Sequence, residues 1–413
     1  MPDRIKTTLR SLNASGPFWN MMGSGMVAAN TVFLTMLVSR FADLATVGAF
    51  TLALTTSQIL YTLGLFGAND LQMTDYRHTY RFAHYFHVRV FSTLLSVLCC
   101  AVAIAVMRFS GAGRLYTWLL TAYMMVNAIA ELYQSMFFQN GRLDLSGKAL
   151  FFRYFLSTVG FFAALLAGAS IAMSCVAMLA VNILATVWWD LRLAGKYRDS
   201  GYGFEREPCL RLARAAFPLC LGMLCSLILV NCPKYIIDAT LNDEAQGLYG
   251  LLFMPTYAIN LISTFVYRPF FPRYSRLLEE DKRGFRRLLL GQVAMIIGVA
   301  AAGAAMIWLV GVPFMRLLFG RDLGGHQGLM ALFMLSGGVM AINQLLYYIM
   351  VILRRQRVVP VIYLVGTLLA VRAGFWLIPR LELTGAWVAF TVGQVMLAVG
   401  FALVLWRGRR CEE

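Results

Sequence analysis

Charges stand in this chain where an apolar segment should carry none. The stretch SLILVNCPKYIIDATL, residues 226–241, is apolar enough to lie in hydrocarbon yet holds Asn231, Lys234 and Asp238. Lys234 and Asp238 are four apart, so a helix puts them on one face, where ammonium and carboxylate can neutralise each other. Counted from the start of its helix, Lys234 lies ~30 Å along, near the far surface. Two readings stay open: an interfacial anchor with a self-satisfied pair, or the outer end of a path for an anion. Arg372 sits deeper in its own apolar segment, and no acidic residue follows it within a turn. An uncompensated arginine at that depth points to a cavity or an interhelical contact. Glu131 is equally conspicuous, a group for pairing with a cation or carrying a coupling proton. Asn30, Gln58, Asn231 and Asn260 are amides for contacting a polar ligand, or else for tying helices together.

The elements that must position these groups follow from composition. Of 413 residues, 60% are hydrophobic and 14% charged, which excludes an ordinary soluble chain of two or three domains. Apolar segments of the length that spans hydrocarbon recur from end to end. Twelve are expected, near 17–40, 44–66, 87–107, 115–138, 150–167, 170–189, 214–237, 246–268, 288–311, 326–352, 359–378 and 384–406. The fold class expected is therefore all-α, a polytopic membrane protein. The basic amino-terminal stretch is not followed by a small-residue cleavage site after an apolar run, so no cleaved signal peptide is expected.

The formal net charge of +16 raises nucleic acid as a partner, and its distribution argues against it. Basic residues cluster on one side of the twelve-span chain, in the amino-terminal stretch, in the loops around Arg77–Arg89 and Arg142–Arg153, between spans six and seven, between eight and nine, around 354–357 and at the carboxyl end. By the positive-inside rule both termini are cytoplasmic, and the charge serves topology and anionic membrane lipids. On that count Arg372 alone falls inside a span.

The eight cysteines form no C-x-x-C and read as buried small hydrophobes. His78, His84 and His87 in DYRHTYRFAHYFHVR lack a carboxylate or cysteine completing a ligand set, so no metal is expected and the segment reads as a basic-aromatic interfacial one. No phosphate-binding loop is present, so ATP hydrolysis is not supported, and no cofactor is expected.

The longest loop between spans, residues 190–214, falls near the midpoint. It suggests a six-helix bundle over 1–190, a cytoplasmic linker over 191–213 and a second bundle over 214–413. A shift of 199 residues matches Phe18 with Phe217, Gly23 with Gly222, Gly48 with Gly247 and Phe66 with Phe265, and sets Asn69 against Arg268. Six is an even number, so the repeats would be parallel, related by an axis along the membrane normal, with a cleft between them suited to alternating access. Asn69 and Arg268 would then flank its inner mouth.

The segment LRRQRVVPVIYLVGTLLAVRAGFWLIPRLELTGAWVAF resembles the eleventh-to-twelfth helix signature of polysaccharide flippases, with Leu377, Ile378, Pro379, Gly385 and Ala386 matching it. The stretches LNDEAQGLYGLLFMPTYAINLISTFVYRPFFPRYSRL and LTTSQILYTLGLFGANDLQMTDY also look like that family. The resemblance is to Wzx-type oligosaccharide flippases, in the superfamily that includes MATE drug exporters and lipid II flippases. It implies two six-helix bundles around a central cavity lined chiefly by helices 1, 2, 7 and 8. It also implies an undecaprenyl-diphosphate-linked oligosaccharide as substrate, moved between leaflets of a bacterial inner membrane, with polymerase and chain-length proteins of a glycan pathway as partners. Arg372 departs from the family, where a polar amide is common. In that frame Arg372, Lys234 and Arg268 are cations for a diphosphate, with the amides Asn30, Gln58, Asn69, Asn231 and Asn260 for sugar, and Glu131 and Asp238 for coupling or ion pairing. The rivals are a MATE-like exporter of organic cations, which needs carboxylates facing the cleft, and an integral-membrane polymerase or glycosyltransferase, which needs a substantial outer loop.

Overall fold

The computed structural model describes residues 16–75, 78–107, 109, 111–197, 202–259, 270, 274, 277, 281–353 and 358–410. Among them there is helix and no strand. The chain is an all-α, multi-pass membrane protein. Among the described residues nine helices are long and apolar enough to cross a membrane. In such segments every backbone N–H and C=O must bond within the helix, because hydrocarbon offers no partner. One of the nine, over Val359–Leu405, has 47 residues, about twice what a bilayer needs, and therefore holds two spans.

The chain divides into two compact units. One runs to Ala42 and resumes over Ala49–Leu224; the other comprises Asp43–Gly48 and the chain from Cys225 onward. The first contains α1 (Gly16–Phe41), most of α2 (Leu44–Leu65), the short α3 (Ala68–Thr74), α4 (Phe82–Val106), α5 (Gly111–Gln139), α6 (Leu143–Leu166) and α7 (Ile171–Ala185). A π-helical turn over Thr186–Leu191 prolongs α7 into Arg192–Ala194. α1 lies along α6, α6 along α7, and α5 touches α3, α4, α6 and α7. The α1–α6 seam is close because both sides are small: a Cβ on Gly147 would strike the Trp19 backbone, and one on Gly23 would sit 2.7 Å from the Gly147 carbonyl oxygen.

The segment entering α4 and the linker after α7 are fastened together. Asp75 accepts from the backbone N–H groups of Thr79 and Tyr80 and from the Tyr85 hydroxyl. Tyr202 packs its ring 4.6 Å from Phe86, and its carbonyl oxygen lies 2.9 Å from His87 Nε2. Glu205 reaches both Arg81 and His84, a carboxylate brought to the histidine segment from 120 residues away. Below it Phe82, Tyr85, Tyr133, Phe137, Leu212 and Ala216 form a buried cluster that joins α4 and α5 to the first part of α8 (Arg206–Thr240).

The second unit contains the rest of α8, then α9 (Asp243–Leu252), α10 (Lys282–Phe319), α11 (Gln327–Ile352) and α12 (Val359–Arg410). Asn242 caps α9 by accepting from Ala245 N–H. The helix breaks at Phe253 and resumes over 254–259, just ahead of Pro255, whose ring excludes the preceding turn. Gly48 and Gly247, matched by the 199-residue shift, face each other in this unit: a Cβ on either would meet the other's amide nitrogen within 3.1 Å.

α12 is a hairpin of two helices. Glu382 adopts φ 48° and ψ −123°, and a Cβ on Gly385 would strike the Leu377 carbonyl, so the chain reverses there. From that turn the two arms run antiparallel: Gly374 meets Ala389, Gly393 meets Ala370, Gly366 meets Leu397 and Gly400 meets Ile362. The LIP…GA pattern is thus the sequence of a tight reversal. Asn343 donates to the Gln394 carbonyl and side-chain oxygens, and Trp387 donates to Ser336, tying α11 to the second arm.

Candidate functional site: a charged cluster inside the first unit

Four ionisable groups meet in the interior of the first unit. Arg153 lies on α6 about 15 Å from Leu143, and Arg89 on α4 about 10 Å from Phe82. Both guanidiniums are 1% exposed. Glu131 comes from α5, about 12 Å before its end at Gln139, and Asp190 from the π-helical turn. The wider π turn carries one extra residue per turn, and in it Asp190 points inward while Trp188, two residues earlier, points out.

Arg153 is the hub. Its Nη1 donates to Asp190 Oδ2 at 3.2 Å and its Nε to Asn127 Oδ1 at 2.9 Å. Asn182 donates to the same Asn127 oxygen at 3.2 Å. With its amide turned to the orientation its neighbours require, Gln134 bridges the two halves of the cluster, donating to Glu131 Oε2 at 3.1 Å while its carbonyl oxygen accepts from Arg153 Nη2 at 3.0 Å and Nη1 at 2.6 Å. Tyr154 places its ring 5.6 Å from the Arg153 guanidinium. Arg89 donates to the Gly64 carbonyl at 3.1 Å and interacts electrostatically with Glu131, Asp70 and Tyr61. Among the described residues its Nε and Nη2 have no hydrogen-bond partner, nor has Asp190 Oδ1.

Burial of ions on this scale persists only when they are paired and hydrogen-bonded. Arg153 and Arg89 are set against Asp190 and Glu131, with Asp70 as a further carboxylate beside Arg89. A proton or ion that changed one partner would unbalance the rest, which gives the cluster the chemistry of a switch as well as of a clamp.

Sequence reasoning placed Arg89 and Arg153 on a surface side and counted Arg372 as the lone intraspan cation. The structure corrects this, because α4 and α6 begin five and seven residues before the apolar windows do. Each arginine is therefore about two to three turns inside its helix. The signal was available in their polar neighbours Ser92, Ser96 and Ser157, which the apolar average hides.

The other residues singled out are distributed over both units. Asn30 accepts from Thr158 Oγ1 at 2.9 Å, linking α1 to α6, and Gln58 donates to Thr31 Oγ1 at 2.7 Å, linking α2 to α1. Asn69 is buried and donates to Asp70 at 3.3 Å. In the second unit Lys234 is 5% exposed, with its Nζ 5.9 Å from the Phe253 ring centroid. Asn231, one turn earlier, donates to the Leu227 carbonyl, and its Oδ1 lacks a protein partner. On α9 the Gln246 amide and the Tyr249 hydroxyl are fully buried, with no hydrogen-bond partner among the described residues. The ion pairs of the described residues do not include one between Lys234 and Asp238, which is half-buried.

Arg372 is exposed, on the face of α12 turned away from the hairpin partner, among exposed Leu368, Phe375 and Trp376. Arg268 and Asn260 lie outside the described residues.

Comparison with known proteins adds the following. A family model described as polysaccharide biosynthesis protein matches residues 37–323. No curated protein matches the sequence. The fold is similar to that of the lipid II flippase MurJ in an inward closed conformation, with a TM-score of 0.70 and 11% identity, covering 94% of this chain and 87% of that one. It is similar to an inward-facing multidrug resistance MATE family transporter of the MOP superfamily, with a TM-score of 0.68 and 13% identity over 93% and 94%. It is also similar to the Vibrio cholerae MATE transporter VcmN in its bent form, with a TM-score of 0.60 and 14% identity over 98% of both chains.

Proposed function

The chain belongs to the polysaccharide biosynthesis protein family, and from that premise we propose that it is a flippase for undecaprenyl-diphosphate-linked oligosaccharide repeat units. The observation that carries this reading is the joining of a polysaccharide biosynthesis family to a transporter fold shared with a lipid II flippase. Such a protein would work in the inner membrane of a bacterium with both termini cytoplasmic, alternating between inward and outward access. Lys234, Arg372, Arg268 and Asn231 are the groups proposed to meet the diphosphate and sugar, lowering the ~3 kcal/mol or more that an unpaired charge meets in hydrocarbon. Glu131 is proposed to couple ion or proton binding to the cycle through Gln134 and Arg153. Likeness to MATE transporters raises export of organic cations as a rival. Against that rival, the Asp190 carboxylate is claimed by Arg153 and Glu131 is tied through Gln134, which leaves Asp70, beside Arg89, as the carboxylate of this cluster nearest to being on offer to a cation. Deleting the gene tests the proposal: lipid-linked repeat units should accumulate on the cytoplasmic leaflet and surface glycan should be lost. Intact surface glycan with cellular accumulation of toxic cations would select the exporter instead.

A further inference from the structure

An apolar groove opens on the outer side of the first unit, between α6 and α7. Its volume is about 410 Å³, within the roughly 300–1,000 Å³ of small-ligand sites. Phe152 and Leu156 form one wall and Leu184, Ala185, Trp188 and Trp189 the other, with Arg153 behind them. It is closed toward the far end of the helices, where Gly160 approaches Val181 so nearly that a Cβ would sit 2.9 Å from the valine methyl. Trp189 stacks on Phe152 at 5.6 Å to make the floor. The π-helical turn carries Trp188 outward, 68% exposed, at the rim.

Cations ring the open end. The Arg192 guanidinium lies 5.0 Å over the Trp188 ring, and Lys148 Nζ, one residue before the groove wall, lies 5.3 Å over the Trp19 ring. Lys196 follows one turn after Arg192 and is exposed. Arg142 on the same end is already engaged bidentately by Asp144, which leaves Arg192, four residues past the lining Trp188, and Lys148, next to the lining Ala149, as the cations flanking the groove. A chain-sized apolar slot, an aromatic lip and positive charge at headgroup level match the parts of one ligand class.

We propose that this groove is a specific site for an anionic phospholipid of the leaflet at the Leu143 end of α6. One acyl chain lies against Phe152 and Leu184, and the phosphate is held between Arg192 and Lys148. Phosphatidylcholine fills the slot equally well, but its choline ammonium offsets the phosphate charge that the two cations would meet, so selectivity resides in the headgroup. The occupied groove also seals the apolar flank of Arg153 against water, supporting the Arg153–Asp190 pair behind it.

The test is lipid titration of the purified full chain in detergent, read by native mass spectrometry with phosphatidylglycerol and phosphatidylcholine of identical chains. The expected result is one retained phosphatidylglycerol that phosphatidylcholine does not displace. Combined R192Q and K148Q should weaken it about 30-fold, from ~1 kcal/mol for each cation near a headgroup. Ala185→Phe, which fills the slot without touching charge, should abolish it, and Arg114→Gln at the opposite end of α5 should leave it unchanged. Thermal unfolding confirms that each variant is folded. Equal retention of both lipids, or full binding by the charge and slot variants, overturns the proposal. Displacement by equimolar farnesyl diphosphate would reassign the groove to an isoprenoid diphosphate and overturns it too.

Discussion

Replacing Arg153 by methionine removes the hub of the buried cluster. The guanidinium contacts Asp190 at 3.2 Å, Asn127 at 2.9 Å and Gln134 at 3.0 and 2.6 Å, and both ion-pair side chains are 1% exposed. Without it Asp190 is left buried in an apolar bundle without its counter-ion. Breaking one side of such a pair costs about 3–5 kcal/mol. For a unit of this size a kilocalorie is worth about 2–4 °C, so thermal unfolding in detergent should fall by roughly 10 °C. Adding Asp190→Leu to Arg153→Met should recover most of the loss, because an apolar pair of similar volume needs no counter-charge. The reasoning is refuted if the single variant unfolds within about 2 °C of wild type, or if the double variant is no more stable than the single one.

Further outcomes follow from other parts of the molecule. Gly385→Val drives a side chain into the Leu377 carbonyl at the α12 hairpin, and should lower stability by ~1–3 kcal/mol in the same thermal assay. Lys234→Met should slow translocation on the order of 100-fold if the ammonium supplies ~3 kcal/mol to a diphosphate, at normal membrane abundance; unchanged complementation would remove it from the path. Arg372→Ala should likewise impair complementation, and an unimpaired variant would leave that arginine to the exposed apolar face on which it stands. Burial would raise the Asp75 carboxyl, but the Tyr80 and Thr79 amides and the Tyr85 hydroxyl outweigh it and hold the group below its usual range. A depressed carboxylate contributes stability above its unfolded pKa of about 3.9, lost as pH falls through the lower folded value. Amide exchange at Thr79 and Tyr80 should therefore stay slow down to about pH 4 and quicken below it, whereas Asp75→Asn should be fast even at pH 7.

The all-α, multi-pass architecture was legible because hydrocarbon demands long apolar helices, and such runs survive averaging over a window. The α12 reversal was legible as well, since Pro379 and Gly385 bracket a turn that the backbone geometry at Leu377 and Glu382 requires. The charged cluster was not. Arg89, Glu131, Arg153 and Asp190 come from four helices, and their partnership depends on helix rotation, which a hydropathy profile does not report. The π-helical turn that aims Asp190 at Arg153 has no sequence signature of its own. The i, i+4 spacing of Lys234 and Asp238 permits a pair on one helix face, but spacing did not report that the amine lies buried over the Phe253 ring. Intraspan amides read as sugar contacts turned out in part to tie helices, as Asn30 does with Thr158 and Gln58 with Thr31.

The central claim is tested most directly by reconstituting the purified chain in liposomes that carry an undecaprenyl-diphosphate-linked oligosaccharide, with an externally added glycosidase to read which leaflet displays the sugar. The account predicts protein-dependent, time-dependent conversion of the inner-leaflet pool to the cleavable form, slowed by Lys234→Met. An inner pool that stays protected while the same liposomes take up an organic cation would contradict it.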